Sequence, residues 1–161
     1  MSNATFDPVA CVAREHDAAL DFIDILRREQ HALHHTDGSL LLALAMEKSR
    51  QAQQLAQLAD ARNRWLAMLG YPQDRMGMER SLQDCPDAAG AADTWQKLLQ
   101  LAETASQLNK INGILVAQRL RYTQQRLSAL QSATHSARSA GLYGSDGQPQ
   151  PFSGGRRLGE V

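Results

Sequence analysis

Cysteine and aromatic residues are scarce in this chain of 161 residues. Aromatic residues make up 5% of it, and the two cysteines, Cys11 and Cys85, match no metal-binding or redox spacing. No apolar run approaches the roughly 18 residues of a membrane-spanning helix, and the N-terminus lacks the pattern of a secretory signal. We therefore expect a soluble, cytoplasmic protein with reduced cysteines and without membrane insertion.

The sequence also lacks the motifs on which many enzymes depend. It contains no Gly-rich phosphate loop, no nucleophile elbow and no paired-carboxylate motif. It also has no Glu-x-x-His, which a di-iron helical bundle needs twice. His31, His34 and His35 share one helical face, but the sequence places no further ligand to complete a metal site. We predict no catalytic residue, no metal and no cofactor, and hence a protein that is not an enzyme.

Charge is balanced in total but unevenly placed along the chain. The formal net charge is zero, so general attraction to nucleic acid or to a membrane is not expected. Residues 1–37 carry seven acids against three arginines, whereas the stretch from Thr104 to Ser145 has no acid. Either the first and last helices lie side by side and attract each other, or the basic stretch binds an acidic partner. The basic residues of that stretch are Lys110, Arg119, Arg121, Arg126 and Arg138.

The first long helix is predicted over residues 8–35. Asp7 is well placed to cap it, and proline is tolerated at the first helical position. From Val9 to Leu33 the sequence keeps an unbroken seven-residue repeat, which predicts one narrow apolar seam with acids and arginines on the other faces.

The second helix is predicted over residues 39–69, because Gly70 and Pro72 end it. Three polar residues interrupt its seam, which fixes the register and indicates that this part is thinly covered. They are Lys48, Gln51 and Arg62. A long connection over residues 71–92 follows, with one short helix predicted from Met78 to Gln83.

The third helix is predicted over residues 93–136, with a start at Asp93 or a few residues before it, and its seven-residue repeat slips at Asn112 and Gly113. A second regular series begins after this slip and runs from Val116 to Leu130. The remaining residues, 139–161, are rich in Gly, Ser, Pro and Gln, which predicts a disordered tail. The predicted fold is therefore all-α: an elongated antiparallel helical bundle or coiled coil of three long helices, with a helical domain over residues 1–138.

Three short motifs, two in the tail and one on the last helix, resemble those of a known protein family. Residues 142–148 read Leu-Tyr-Gly-Ser-Asp-Gly-Gln, residues 154–158 read Gly-Gly-Arg-Arg-Leu, and residues 108–113 read Leu-Asn-Lys-Ile-Asn-Gly. Weaker markers are Glu29-Gln30 and Glu47-Lys48-Ser49 on the first two helices. In these motifs the chain resembles the FlgN family of flagellar export chaperones, over nearly its whole length.

The resemblance implies a cytoplasmic chaperone that binds the C-terminal regions of hook-associated proteins, which form the hook–filament junction. It would prevent their premature assembly and pass them to the flagellar type III export gate. Docking on the cytoplasmic domain of that gate is carried over to Leu142 and Tyr143. Apart from the resemblance, the apolar seam expected to be exposed on the last helix suggests self-association in the absence of client. Client binding is carried over to Ile111, Ile114, Leu115, Leu120, Leu127 and Leu130.

Two other functions stay open at the level of sequence. A regulator would use the acid-free helix to bind RNA or a transcription factor, with a steep dependence on salt. Only Tyr122 is interleaved as an aromatic among the arginines, so the stacking platforms of single-stranded nucleic-acid binders are missing and no nucleic acid is expected. The other alternative is a coiled-coil adaptor without a role in export.

Overall fold

The computed structural model describes residues 7–35, 38–85 and 88–139, and four helices account for nearly all of them. These are α1 (Pro8–His35), α2 (Gly38–Met68), α3 (Arg75–Asp84) and α4 (Ala89–Ser139). The all-α prediction is confirmed: the described residues form three long helices, with the short helix α3 in the connection between α2 and α4. The chain separates into two units, residues 1–116 and 117–161, so α4 contributes to both. Beyond Ser139, the predicted tail lies outside the described residues.

Helix α1 begins where the sequence predicts, but its buried face is wider than predicted. The Asp7 carboxylate accepts hydrogen bonds from the backbone N–H groups of Val9 (2.9 Å) and Ala10 (3.2 Å) and caps the helix. The narrow seam is wrong because α1 packs against both α2 and α4, and a helix covered from two sides buries more than one stripe. The buried residues outside the predicted seam are Cys11, Glu15, Ala18, Ile25 and Ala32.

Helices α1 and α2 are antiparallel. Glu15 of α1 binds Arg62 of α2, whereas Glu29 of α1 binds Lys48 of α2. Rising residue numbers in α1 therefore meet falling numbers in α2, as the short connection between them requires.

The polar seam positions of α2 are paired rather than uncovered. Besides the two ion pairs, the Gln51 side-chain amide donates a hydrogen bond of 3.0 Å to the backbone carbonyl of Ala18. The prediction that α2 is thinly covered does not hold for these polar seam positions. It describes the helix as a whole, because most of its residues are exposed. Its buried residues are Leu44, Trp65 and Leu66. The helix ends before Gly70, whose φ of +79° is the left-handed conformation that glycine adopts readily.

Helix α3 is longer than the predicted Met78–Gln83 segment. The Asp74 carboxylate caps it by accepting a hydrogen bond of 2.8 Å from the backbone N–H of Gly77. A side chain at Gly77 would place its Cβ 1.9 Å from the backbone oxygen of Pro72, so the close approach requires glycine. Because glycine is a poor helix former, the sequence pattern made this helix look shorter than it is.

The main core lies where residues of all four helices meet. Helix α4 begins at Ala89, a few residues before Asp93 as the prediction allowed, and small residues at its start pack directly into this core. A smaller cluster of Ile25, Ala32 and Leu44 joins α1 to α2. None of the helices within the described residues combines the length and the apolar character that crossing a bilayer requires. The main core comprises Val12, Ala19, Trp65, Leu66, Met78, Leu82, Ala88, Ala91, Trp95 and Leu98.

Candidate protein-binding surface

A polar layer ties the start of α4 to both α1 and α2. The Arg62 guanidinium binds the Glu15 carboxylate at 2.6 and 2.7 Å, and its Cζ lies 4.9 Å from the ring centroid of Trp95 on α4. Burial raises the pKa of the Glu15 carboxyl above its ordinary value, and the Arg62 guanidinium opposes that rise. The sequence analysis did not single out Glu15. The signal for it was an acid beside the apolar seam of α1 together with an arginine, Arg62, within the seam of α2, because two such residues form an ion pair when the seams pack together.

A second polar layer ties the same helices together further along. The Glu29 carboxylate accepts hydrogen bonds from Lys48 Nζ at 2.9 Å and from Asn112 Nδ2 at 2.8 Å. Asn112 also donates to the backbone carbonyl of Leu26 at 2.8 Å. A buried asparagine at one seam position fixes the register of a helical bundle. Since Trp95 meets the Glu15 level and Asn112 meets the Glu29 level, α4 runs parallel to α1 in the first unit.

Replacing Asn112 by alanine is expected to destabilise the fold by about 1–3 kcal/mol, because the buried Leu26 carbonyl and the part-buried Glu29 carboxylate each lose one hydrogen-bond donor. Urea denaturation measures the free energy of unfolding. Asn109→Ala is the matched control, since Asn109 lies on the same helix and is exposed, and it is expected to change stability by less than about 0.5 kcal/mol. Equal effects of the two substitutions would show that the Asn112 hydrogen bonds contribute nothing.

Close to Asn112, three of the predicted client-binding residues differ in how exposed they are. At 100° per residue, Leu115 lies about 60° around the helix from Asn112, which faces α1, and Leu115 is accordingly half-buried. Ile111 and Ile114 are turned further from Asn112, by about 100° and 160°, and both are exposed. All three turn to the same side of Asn112 and lie within an arc of about 100°, with half-buried Leu115 at the edge nearest α1.

In the second unit, the other three predicted client-binding residues share one side of α4. Leu120, Leu127 and Leu130 are exposed by 57%, 56% and 64%, and their spacing places them within an arc of about 80°. Thr123 falls within the same arc. We call these four residues the distal stripe. All side chains over residues 120–136 are exposed, so the apolar part of the stripe is in contact with solvent.

Basic side chains flank the distal stripe on both sides. By helical spacing Arg126 lies next to Leu130 on one edge, and Arg121 lies on the opposite side, about 100° from Leu120. The Arg126 guanidinium stands 5.7 Å from the ring centroid of Tyr122. The described part of α4 contains no acid after Glu103, so no carboxylate of this helix neutralises these arginines.

A cavity of about 520 Å³ lies between α3 and α4, within the first unit. Its charged side chains are already paired: Arg75 Nε binds Glu79 Oε1 at 2.8 Å, and Asp93 binds Lys97 at 3.5 Å. The Trp95 indole nitrogen is buried without a hydrogen-bond partner. Among the residues that the structure describes, no group of three or more His, Cys, Asp or Glu side chains could hold a metal ion. The cavity therefore offers a ligand no unpaired charge.

A solved structure shares this fold. A crystal structure of a proposed flagella synthesis protein FlgN from Pseudomonas aeruginosa superimposes with a TM-score of 0.62 at 26% sequence identity, covering 68% of this chain and 86% of that one. The family described as FlgN protein matches residues 1–151. The chain belongs to the FlgN family, and its role is a flagellar one. A comparison with curated protein sequences gives no significant match.

The predicted functional residues thus fall into three groups. Leu120, Leu127 and Leu130 lie together on the distal stripe of the second unit, whereas Ile111, Ile114 and Leu115 belong to the first unit, where Leu115 is half-buried. Leu142 and Tyr143, the residues assigned to gate docking, lie outside the described residues. All of these assignments stay predictions.

Proposed function

We propose that this chain is a cytoplasmic flagellar export chaperone that binds the C-terminal regions of hook-associated proteins. It prevents their premature assembly and delivers them to the flagellar type III export gate. The observation that carries the proposal is the distal stripe, a row of solvent-exposed leucines on a long helix in a member of the FlgN family. Large apolar side chains exposed in a row on a helix are typical of a protein-binding surface.

The geometry of the stripe suits a helical client segment. From Leu120 to Leu130 the stripe extends over ten residues, or about 15 Å along the helix axis, which corresponds to nearly three helical turns. A client segment with apolar residues at three- and four-residue spacing would pack against it in the helix-in-groove mode. Because the same client face would then be covered, it could not pair with another subunit before export.

The affinity of such a complex is limited by the small area involved. Burial of apolar surface contributes about 25 cal/mol per Å², and ordering a disordered client segment costs several kcal/mol of this gain. A stripe of three leucines therefore supports a complex that can still release its client at the export gate. Leu115 contributes less in this proposal, because it is already half-buried within the first unit.

Calorimetric titration of the full chain with the C-terminal region of a hook-associated protein tests the proposal. We expect saturable binding with a negative heat-capacity change, which is the mark of apolar burial. Titration with another flagellar protein segment of similar length controls for general stickiness. Absence of binding to the C-terminal regions of all hook-associated proteins would overturn the proposed function.

Replacing Tyr143 by alanine is expected to weaken binding to the cytoplasmic domain of the export gate by about tenfold and to leave client binding unchanged. The resemblance assigns gate docking to this residue, and a buried tyrosine commonly contributes more than 1 kcal/mol to an interface. Phe152→Ala is the matched control, as it removes another aromatic side chain from the same tail. Surface plasmon resonance with the immobilised gate domain provides the affinities, and equal binding by both variants would refute the role of Tyr143.

A further inference from the structure

The distal stripe has a charge pattern that restricts what can bind to it. Arg121 and Arg126 lie on opposite sides of the leucines, and residues 104–139 of α4 contain no acid. A helix that packs onto the stripe brings its own flanking positions close to these two arginines. Its charges therefore decide whether the contact is attractive or repulsive.

A second copy of the same stripe is a poor occupant. Two distal stripes packed against each other would bring arginines next to arginines, and like charges across an interface are unfavourable. The acidic outer face of α1 is the other candidate within the chain, with exposed Asp17 and Asp21. From Asp17 to Asp24, Leu20 is the one exposed apolar side chain. This face therefore offers a single apolar contact to a stripe of three leucines.

Nucleic acid also fits the stripe poorly. Phosphates would bind the arginines but leave Leu120, Leu127 and Leu130 in contact with water. The aromatic residue of this region, Tyr122, already has the guanidinium of Arg126 at 5.7 Å from its ring centroid. Proteins that bind single strands combine basic grooves with free aromatic platforms, and here three exposed leucines stand between the arginines instead.

We propose that the segment bound by the distal stripe is an acidic amphipathic helix, with carboxylates on both edges of its apolar face. This inference rests on the proposed function, which supplies the client, and adds the chemistry by which the client is recognised. The leucines of the stripe provide the apolar contact, while Arg121 and Arg126 bind the carboxylates and select against basic or neutral helices. Electrostatic attraction of this kind raises the association rate and makes binding dependent on salt.

Charge reversal on α4 separates this proposal from the proposed function. The test variant is Arg121→Glu with Arg126→Glu, and the matched control is Arg50→Glu with Arg64→Glu, which makes the same charge change at two exposed positions of α2. The probe is the C-terminal region of a hook-associated protein, titrated into the full chain at low and at high salt. Circular dichroism checks that helicity is retained. We expect the test variant to bind about tenfold or more weakly and the control less than twofold more weakly.

A second titration uses the same client region with its aspartates and glutamates replaced by asparagine and glutamine. Wild-type binding is expected to fall about tenfold, while the charge-reversed variant loses nothing further, because the two changes remove one interaction. Equal affinities of all combinations, or a client region without acids that binds equally tightly, would overturn the proposal and leave the proposed function standing. A wild-type chain that binds no client region overturns both.

Two further outcomes would also overturn the acidic-helix proposal. The first is salt-dependent RNA binding that the charge-reversed variant loses while its client affinity is unchanged. The second is a change in molar mass by light scattering without a change in client affinity, which would assign the arginines to contacts between copies of this chain.

Discussion

Replacing Leu120 and Leu127 by aspartate is expected to weaken client binding by at least about a hundredfold. Burial of each leucine contributes about 1.5–3 kcal/mol, and a buried, unpaired carboxylate adds a further cost. Near an acidic client the introduced aspartates would also be repelled. Calorimetry with the C-terminal region of a hook-associated protein measures the loss.

The control for this variant introduces the same two carboxylates elsewhere. Leu42 and Met46 on α2 are exposed by 69% and 70% and stand four residues apart on their helix. Leu42→Asp with Met46→Asp is expected to leave client affinity within about twofold of the wild type, and both variants should keep wild-type helicity because all four side chains are exposed. Client binding retained by the Leu120 and Leu127 variant would reject the distal stripe as the binding surface.

Replacing Arg62 by methionine is expected to destabilise the fold by about 3–5 kcal/mol at neutral pH. The substitution leaves the buried Glu15 carboxylate without its cation, and breaking a buried ion pair from one side costs this much. It also removes the guanidinium from the ring of Trp95, which loosens the contact between α2 and α4. The free energy of unfolding from urea denaturation measures the effect.

The destabilisation is expected to depend on pH in one direction. Burial already raises the pKa of Glu15 above its ordinary value of 4.5, and without Arg62 the folded-state pKa rises further. A carboxyl with a raised folded-state pKa stabilises the fold when protonated, so the loss is smallest below pH 4.5 and grows as pH rises through the folded-state pKa. A loss that instead grows towards acid pH would contradict the uncompensated carboxylate.

Two controls separate charge burial from general loss of packing. Arg64→Met removes an exposed arginine two residues away and is expected to change stability by less than about 0.5 kcal/mol. The double variant Glu15→Leu with Arg62→Met removes both charges and is expected to be more stable than Arg62→Met alone, since a well-packed apolar pair can replace a buried ion pair. A double variant that is less stable than the single one would assign the effect to lost packing.

The sequence predicted the helices well wherever hydrophobic periodicity and end signals coincide. The Asp7 cap and Pro8 marked the start of α1, and Gly70 marked the end of α2, because these residues act through local backbone geometry. The start of α4 was predicted only to within a few residues of Asp93, because packing of Ala91 against the core, and no clear capping signal, accompanies its start at Ala89. Propensity is a weak guide where tertiary contacts decide.

The surface was harder to predict than the helices. Apolar residues of α4 were visible in the sequence, but which of them remain exposed depends on what packs against each side of the helix. Asn112 illustrates this, because its hydrogen bonds to Glu29 and Leu26 join residues far apart in the chain and orient the residues around it. The half-buried state of Leu115 follows from that orientation and not from any local pattern.

Amide hydrogen exchange of the full chain, with and without bound client, tests the central claim most directly, because it locates the binding surface. Client binding on the distal stripe predicts slower exchange of amides over residues 117–136 of α4 and unchanged exchange over α2 (Gly38–Met68). Protection confined to α2, or to the α3 and α4 residues around the cavity near Trp95, would contradict the assignment of client binding to the distal stripe.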